Sequence, residues 1–145
     1  MWGQWIFDNI ARAEQQHMDA VRGLLDKYGI ADPVDPDEPG IFKNEDLQSL
    51  YEDLISMGSA SKEQALHVGA TIEDMDIYDI QEMLYNTNKR DLENVYQNLT
   101  KGSRNHLRSF TALLSGLFDV TYEAQFLSQE EVDAIINSAK ETGRY

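Results

Sequence analysis

The position of the prolines constrains the fold of this chain more than any other feature. Pro33, Pro36 and Pro39 are the only prolines, so the long stretches on either side contain none of the residue that breaks helices most strongly. In those stretches apolar residues recur three and four positions apart, as is typical of amphipathic α-helices, and no run alternates with the period of a strand. The sequence therefore predicts an all-α protein.

Capping signals divide the chain into three long helices and two short ones. Gly29 favours a helix end just before it, Asn44 suits the start of the second helix, and capping boxes begin at Ser61 and Ser128. The predicted helices cover about residues 4–28, 44–58, 61–85, 90–117 and 128–139. We expect residues 1–145 to form one domain, with an antiparallel helical bundle over about 4–117 and a short C-terminal helix over about 128–139.

Composition excludes several functional classes. Asp and Glu number 26 against 12 Lys and Arg, and a net charge of −14 repels phosphate backbones, so we expect no nucleic-acid partner. The absence of cysteine excludes thiol nucleophiles, disulfides and cysteine-ligated metal sites. No apolar run reaches the roughly 18 residues of a membrane span, and no signal peptide is visible. We therefore expect a soluble protein, cytoplasmic by default.

The first helix carries polar side chains on the face that its apolar residues define. On a helical wheel His17 falls in the middle of the apolar arc and Glu14 at its edge. The arc consists of Ile6, Ile10, Ala13, Val21, Leu24 and Tyr28. A Glu and a His three positions apart project from one side of a helix, which is the geometry that lets one helix offer two ligands to one metal.

The third and fourth helices carry similar pairs midway along their apolar faces. Glu73 and Asp76 lie within or beside the arc of Ala65, Gly69, Ile72, Ile80 and Met83. Ser103 and His106 interrupt the apolar stripe of the fourth helix, which contains Leu92, Tyr96, Leu99, Leu107, Phe110, Leu114 and Leu117. His67 lies on a different side of the third helix from Glu73 and is predicted to be a surface histidine.

A buried carboxylate costs several kcal/mol unless it is paired or bound to a metal. A mixed set of carboxylates and imidazoles suits iron or manganese, with zinc as a further alternative. The predicted ligands are Glu14, His17, Glu73 and His106, with Asp76 as an auxiliary ligand. The alternative is a non-catalytic helical module in which the same side chains form a buried hydrogen-bond network.

Four segments also resemble a known family. Residues 10–20, 69–77 and 102–110, together with the tail over 122–131, resemble a prokaryotic ferritin-like family of unknown function, domain of unknown function 2202. The resemblance extends over about residues 6–136. It implies a ferritin-like four-helix bundle with a di-iron centre, but it brings no established reaction.

The chain departs from that family in two respects. Members normally have one more long helix before the one that ends at Gly29, so we expect this chain to lack the first bundle helix. The groove that this leaves predicts a homodimer. In addition, Ser103 stands where ferritins and rubrerythrins carry a glutamate, and Asp76 could supply the missing oxygen.

These observations predict a carboxylate- and histidine-liganded iron protein, and the resemblance implies that it is of the di-iron type. Its predicted chemistry is the reaction of ferrous iron with dioxygen or peroxide, in iron handling or in defence against oxidants. Glu14 and Glu73 would bridge or cap the metals, and His17 and His106 would be terminal ligands.

Overall fold

A computed structural model describes residues 5–34 and 39–143, and this part of the chain contains five helices and no strand. The helices are α1 (Trp5–Tyr28), α2 (Glu45–Ala60), α3 (Lys62–Asn86), α4 (Arg90–Phe118) and α5 (Gln129–Ile136). The all-α prediction is confirmed. None of these helices has the length and apolar character that crossing a membrane requires. The predicted helix start at Gln4 and the loop around Pro36 lie partly outside the described residues.

The helix ends form where the capping signals place them. Gly29 adopts a positive φ of 64°, and the N–H of Ile30 donates to the carbonyl of Leu25 at 2.9 Å, which ends α1. Ser61 is the single residue between α2 and α3, and its hydroxyl accepts the N–H of Gln64 at 3.0 Å. Helix α2 therefore runs two residues beyond its predicted end and leads almost directly into α3.

Helix α5 is shorter than predicted and ends at Ile136 rather than near Ala139. The carbonyl of Ile135 accepts the backbone N–H of Ser138 at 3.1 Å and the guanidinium of Arg108 at 2.8 Å, so it is satisfied without a further helical turn. The chain then returns to α4, where Glu141 accepts hydrogen bonds from Arg104 and Arg108.

The hydrophobic core lies between α3, α4, α5 and the start of α1. Its buried residues are Ile6, Leu66, Ala70, Ile77, Leu107, Phe110, Leu114, Tyr122, Leu127 and Val132. Helices α3 and α4 pack closely because Gly69 has no side chain, and a Cβ there would lie 2.5 Å from the Phe110 ring. We call this region the compact end.

The predicted buried face of α3 is partly wrong. Leu66, Ala70 and Ile77 are fully buried, whereas Met83, which the wheel placed in the apolar arc, is 47% exposed. Helix α3 packs against both α4 and α2, and the segment after α4 also covers it. A single apolar arc on the helical wheel describes packing against one neighbouring helix, so it misses the residues of α3 that face the other elements.

Helices α1 and α2 bury much less of their apolar surface. Helix α1 packs mainly against α4, so Val21 and Tyr28, predicted to be buried, are each 36% exposed. Exposed large apolar side chains on the two helices are Trp5, Met18, Leu47, Tyr51, Ile55 and Met57. We call these exposed side chains of α1 and α2 the open face.

Candidate metal centre

Three helices bring two carboxylates and one imidazole together. Glu14 comes from α1, Glu73 from α3 and His106 from α4, and one ligand atom of each lies within 4.8 Å of the other two. Nδ1 of His106 is 3.0 Å from Oε1 of Glu14 and 3.2 Å from Oε1 of Glu73. We call these residues the carboxylate–histidine trio.

Polar atoms of the trio are buried without a hydrogen bond. Among the residues that the structure describes, the buried side-chain atoms with no hydrogen-bond partner are Oε1 of Glu14, Oε2 of Glu73 and Nδ1 of His106. The short distances within the trio allow ionic attraction, but the groups are not aligned as hydrogen bonds. Since buried polar groups in folded proteins are normally paired, this arrangement is one that a bound cation would satisfy.

Opposite charges in the trio shift two pKa values strongly. Burial alone would lower the pKa of His106, but the adjacent carboxylates of Glu14 and Glu73 outweigh it and raise the pKa to about 9. Burial alone would raise the pKa of Glu14, but His106 and His17 hold it at about 2. A cation with two carboxylate neighbours is therefore the favoured state of His106 when no metal competes.

The two acidic residues of α3 have raised pKa values. Glu73 is almost fully buried, and loss of hydration raises its pKa, while nearby His106 and Ser103 act in the opposite direction. Burial, followed by the charges of Glu73 and Glu14, raises the pKa of Asp76 to about 7. Asp76 therefore lies within electrostatic reach of the trio.

The structure places two of the five predicted ligands outside the trio. His17 contacts it through Glu14, because Nδ1 of His17 lies 2.9 Å from Oε2 of Glu14, and the rings of His17 and His106 are 6.1 Å apart. Asp76 is half-buried beside Glu73 and contributes no atom to the group of converging ligands. Glu14, Glu73 and His106 are thus brought together directly, and His17 and Asp76 surround them.

The donor atoms suit a transition metal. Carboxylate oxygens and an imidazole nitrogen, with no thiolate available, match the preferences of iron, manganese and zinc. The three unpaired atoms give such an ion a place where it would satisfy groups that the protein leaves without partners. The residues present therefore fit a metal ion.

An apolar cavity opens beside the trio on the side of α1. It has a volume of about 270 Å³, and Glu14 and His17 form its polar end. Its apolar lining includes Met18, Val21, Leu25 and Leu99. A small solute could approach Glu14 through this cavity without passing through the core.

The helical wheel of α3 did not identify Asp74. Among the described residues, this carboxylate accepts the most hydrogen bonds. Asp74 is fully buried and accepts hydrogen bonds from Tyr122 and from backbone N–H groups after it. A wheel drawn through Leu66 and Ile77 would have placed Asp74 on the buried side.

His67 also lies in a different environment from the predicted one. Its side chain is half-buried rather than on the open surface, and its ring packs against that of Tyr122 with centroids 5.3 Å apart. Tyr122 lies far along the chain, so no local pattern indicated this contact.

Comparison with known proteins assigns the chain to a family. Residues 1–139 match the family described as "Uncharacterized protein domain (DUF2202)". The chain belongs to DUF2202. The predicted membership is thereby confirmed, and the match includes all three residues of the carboxylate–histidine trio in this DUF2202 chain.

An archaeal relative resembles this DUF2202 chain in sequence and in structure. The "Uncharacterized protein MJ0754" of Methanocaldococcus jannaschii is 47% identical over 142 residues, which cover 98% of this chain and 76% of the relative. The crystal structure of "hypothetical protein MJ0754 from Methanococcus jannaschii DSM 2661" superposes with a TM-score of 0.93 over 97% of this chain and 79% of that chain.

Proposed function

We propose that this DUF2202 protein is a ferritin-like metal-binding protein of the di-iron type. Glu14, Glu73 and His106 would hold the metal, with His17 and Asp76 beside them. Manganese or zinc are the alternative ions. The observation that supports this proposal most is the convergence of three ligand atoms from three helices, with buried polar atoms left unpaired.

Each residue of the trio has a distinct task in this proposal. The carboxylates of Glu14 and Glu73 supply the negative charge that offsets a cation in a poorly hydrated place. His106 binds through a neutral imidazole, so its proton must leave when the ion binds. Ferrous iron held there would supply electrons to dioxygen or peroxide, in iron handling or in defence against oxidants.

Two further features support the approach of ions and small reactants. A net charge of −14 raises the concentration of cations near the surface. The cavity beside Glu14 and His17 is lined mostly by apolar side chains, which suits the passage of a small uncharged molecule such as dioxygen.

A non-catalytic helical module is the second candidate, and one observation favours it. With a pKa of about 9, His106 is a cation at neutral pH and lies between the carboxylates of Glu14 and Glu73. The trio would then be a buried ion network in which the cation of His106 offsets part of the negative charge of the two carboxylates and stabilises the contact between α1, α3 and α4.

Metal titration separates the two candidates. We expect ferrous iron, added without oxygen, to bind the parent protein, and His106→Ala and Glu73→Gln to weaken binding by about 100-fold, since each removes a ligand. Glu82→Gln is the matched control, because it removes the same charge from an exposed position of α3. Equal metal content in all four proteins would exclude the metal site and favour the ion network.

We also propose a homodimer formed through the open face. The large apolar side chains that α1 and α2 expose, including Met18 and Ile55, support this, since exposed apolar surface of this kind marks interaction sites. Light scattering coupled to size-exclusion chromatography tests it. A protein that remains monomeric at tens of micromolar would contradict it.

A further inference from the structure

Gly102 of α4 lies directly against the imidazole of His17. A Cβ built on Gly102 would be 2.5 Å from Cε1 and 2.7 Å from Nε2 of that ring. Both distances are far shorter than a van der Waals contact, so no side chain fits at this position while His17 keeps its place.

The same ring is held on its other edge by the trio. Nδ1 of His17 lies 2.9 Å from Oε2 of Glu14, and the second oxygen of Glu14 lies 3.0 Å from Nδ1 of His106. The His17 imidazole therefore meets Gly102 with Cε1 and Nε2 and meets the carboxylate of Glu14 with Nδ1. Movement of that ring away from α4 would release Oε2 of Glu14.

A glycine in the middle of a helix is unfavourable unless its lack of a side chain is used. Glycine inside a helix costs about 1 kcal/mol relative to alanine, and α4 carries Gly102 near its centre. Gly116 of the same helix offers a comparison, because a Cβ there would meet no atom within 4 Å. The space at Gly102 is occupied by His17, whereas the space at Gly116 is open.

We propose that Gly102 is a positioning residue for the metal site and acts through His17. By leaving room for the imidazole, it holds His17 against Glu14 and so fixes the direction of the Glu14 carboxylate. This inference rests on the proposed function, because it assigns Gly102 to the site that Glu14 helps to form.

The first test compares Gly102→Ala with Gly116→Ala in the metal-free protein. Nitrogen-15 NMR of the histidine rings reports the position of His17 independently of any metal. We expect Gly102→Ala to shift the His17 ring resonances and Gly116→Ala to leave them unchanged. Unchanged His17 resonances in Gly102→Ala would overturn the proposal.

The second test measures the affinity for ferrous iron in the same proteins. We expect Gly102→Ala to weaken binding by about tenfold, as substitutions beside a metal ligand commonly do, and Gly116→Ala to bind like the parent. A parent that binds no metal would instead overturn the proposed function, while the NMR comparison still decides whether Gly102 positions the ring.

A double-mutant cycle shows whether Gly102 acts through His17. In a His17→Ala background the clash is absent, so Gly102→Ala should cause no further loss of affinity and should leave the unfolding midpoint unchanged or higher. Losses that add up in the double variant would overturn the proposal, since Gly102 would then act by another route. The double variant also serves if Gly102→Ala alone folds poorly.

Discussion

Two adjacent carboxylates of α3 are both buried, yet their surroundings differ completely. Asp74, at the compact end, accepts hydrogen bonds from the Tyr122 hydroxyl at 2.9 Å and from the backbone N–H groups of Gln125 and Leu127 at 2.7 and 2.9 Å. Glu73 has a buried oxygen with no hydrogen-bond partner and lies 3.2 Å from Nδ1 of His106.

This difference separates a carboxylate that builds the fold from one that is available to a ligand. A fully paired buried charge recovers its lost hydration within the protein, so it stabilises the segments that it joins. A poorly paired one lowers stability, and a protein tolerates it where another function requires it. Burial alone would not have distinguished Asp74 from Glu73.

The largest expected effect comes from Asp74→Asn. The amide keeps the shape of the side chain but replaces one acceptor oxygen with a donor that faces backbone N–H groups. We expect urea unfolding to show a loss of about 3 kcal/mol. Asp79→Asn, at an exposed position of α3, is the control and should change little. A loss below about 1 kcal/mol would mean that Asp74 is not the anchor described above.

Glu141→Gln tests whether a carboxylate that is well paired but only partly buried contributes as much stability as Asp74. The hydrogen bonds of Arg104 and Arg108 outweigh partial burial and lower the pKa of Glu141 to about 2. Because the side chain is partly exposed, we expect the substitution to cost only about 1 kcal/mol at neutral pH.

The interaction of Glu141 with Arg104 and Arg108 has a defined pH dependence. A carboxylate with a lowered pKa stabilises the fold above its ordinary pKa of 4.5, and this stabilisation disappears as the pH falls toward 2. The parent and Glu141→Gln should therefore differ at neutral pH and converge near pH 2 in thermal unfolding. A stability difference between the two proteins that stays constant across this pH range would contradict the ionic interaction of Glu141 with the two arginines.

Gly23→Ala tests whether the open face unfolds together with the compact end. A Cβ on Gly23 would meet no atom within 4 Å, so alanine should add about 0.8 kcal/mol through its helix propensity. The gain appears in global unfolding only if α1 melts with the rest. No gain in global unfolding, with slower local hydrogen exchange in α1, would show that the two regions unfold separately.

The smallest change in stability is expected for Glu73→Gln in the metal-free protein. Removing the charge relieves a desolvation penalty but also removes an attraction to His106, so the two effects offset within about 0.5 kcal/mol. Urea unfolding in the presence of a chelator measures this. A loss near that of Asp74→Asn would make Glu73 a structural residue and remove the contrast between the two carboxylates.

Much of the helical architecture could be predicted because its signals are local. Gly29, Asn44 and Ser61 act on neighbouring residues, so the C-terminal end of α1 and the starts of α2 and α3 followed from short segments. The end of α5 did not, because it depends on Arg108 of α4, which lies 27 residues earlier in the chain and donates to the carbonyl of Ile135.

The candidate site was predictable in part for a similar reason. The wheels identified Glu14, Glu73 and His106 as polar residues on apolar faces, and the structure brings these three together. The contacts of Asp74 with the segment after α4, and of Gly102 with His17, depend on how distant parts of the chain pack together, which periodicity within one helix does not contain.

The Asp74 contacts also determine when this part of the chain can fold. Its partners lie 48 to 53 residues further along the sequence, beyond the whole of α4. Helices form from neighbouring residues within microseconds, whereas closing such a long loop requires α3 and α4 to be packed first. The hydrogen bonds of Asp74 should therefore be absent from the transition state, so weakening them accelerates unfolding and leaves the refolding rate almost unchanged.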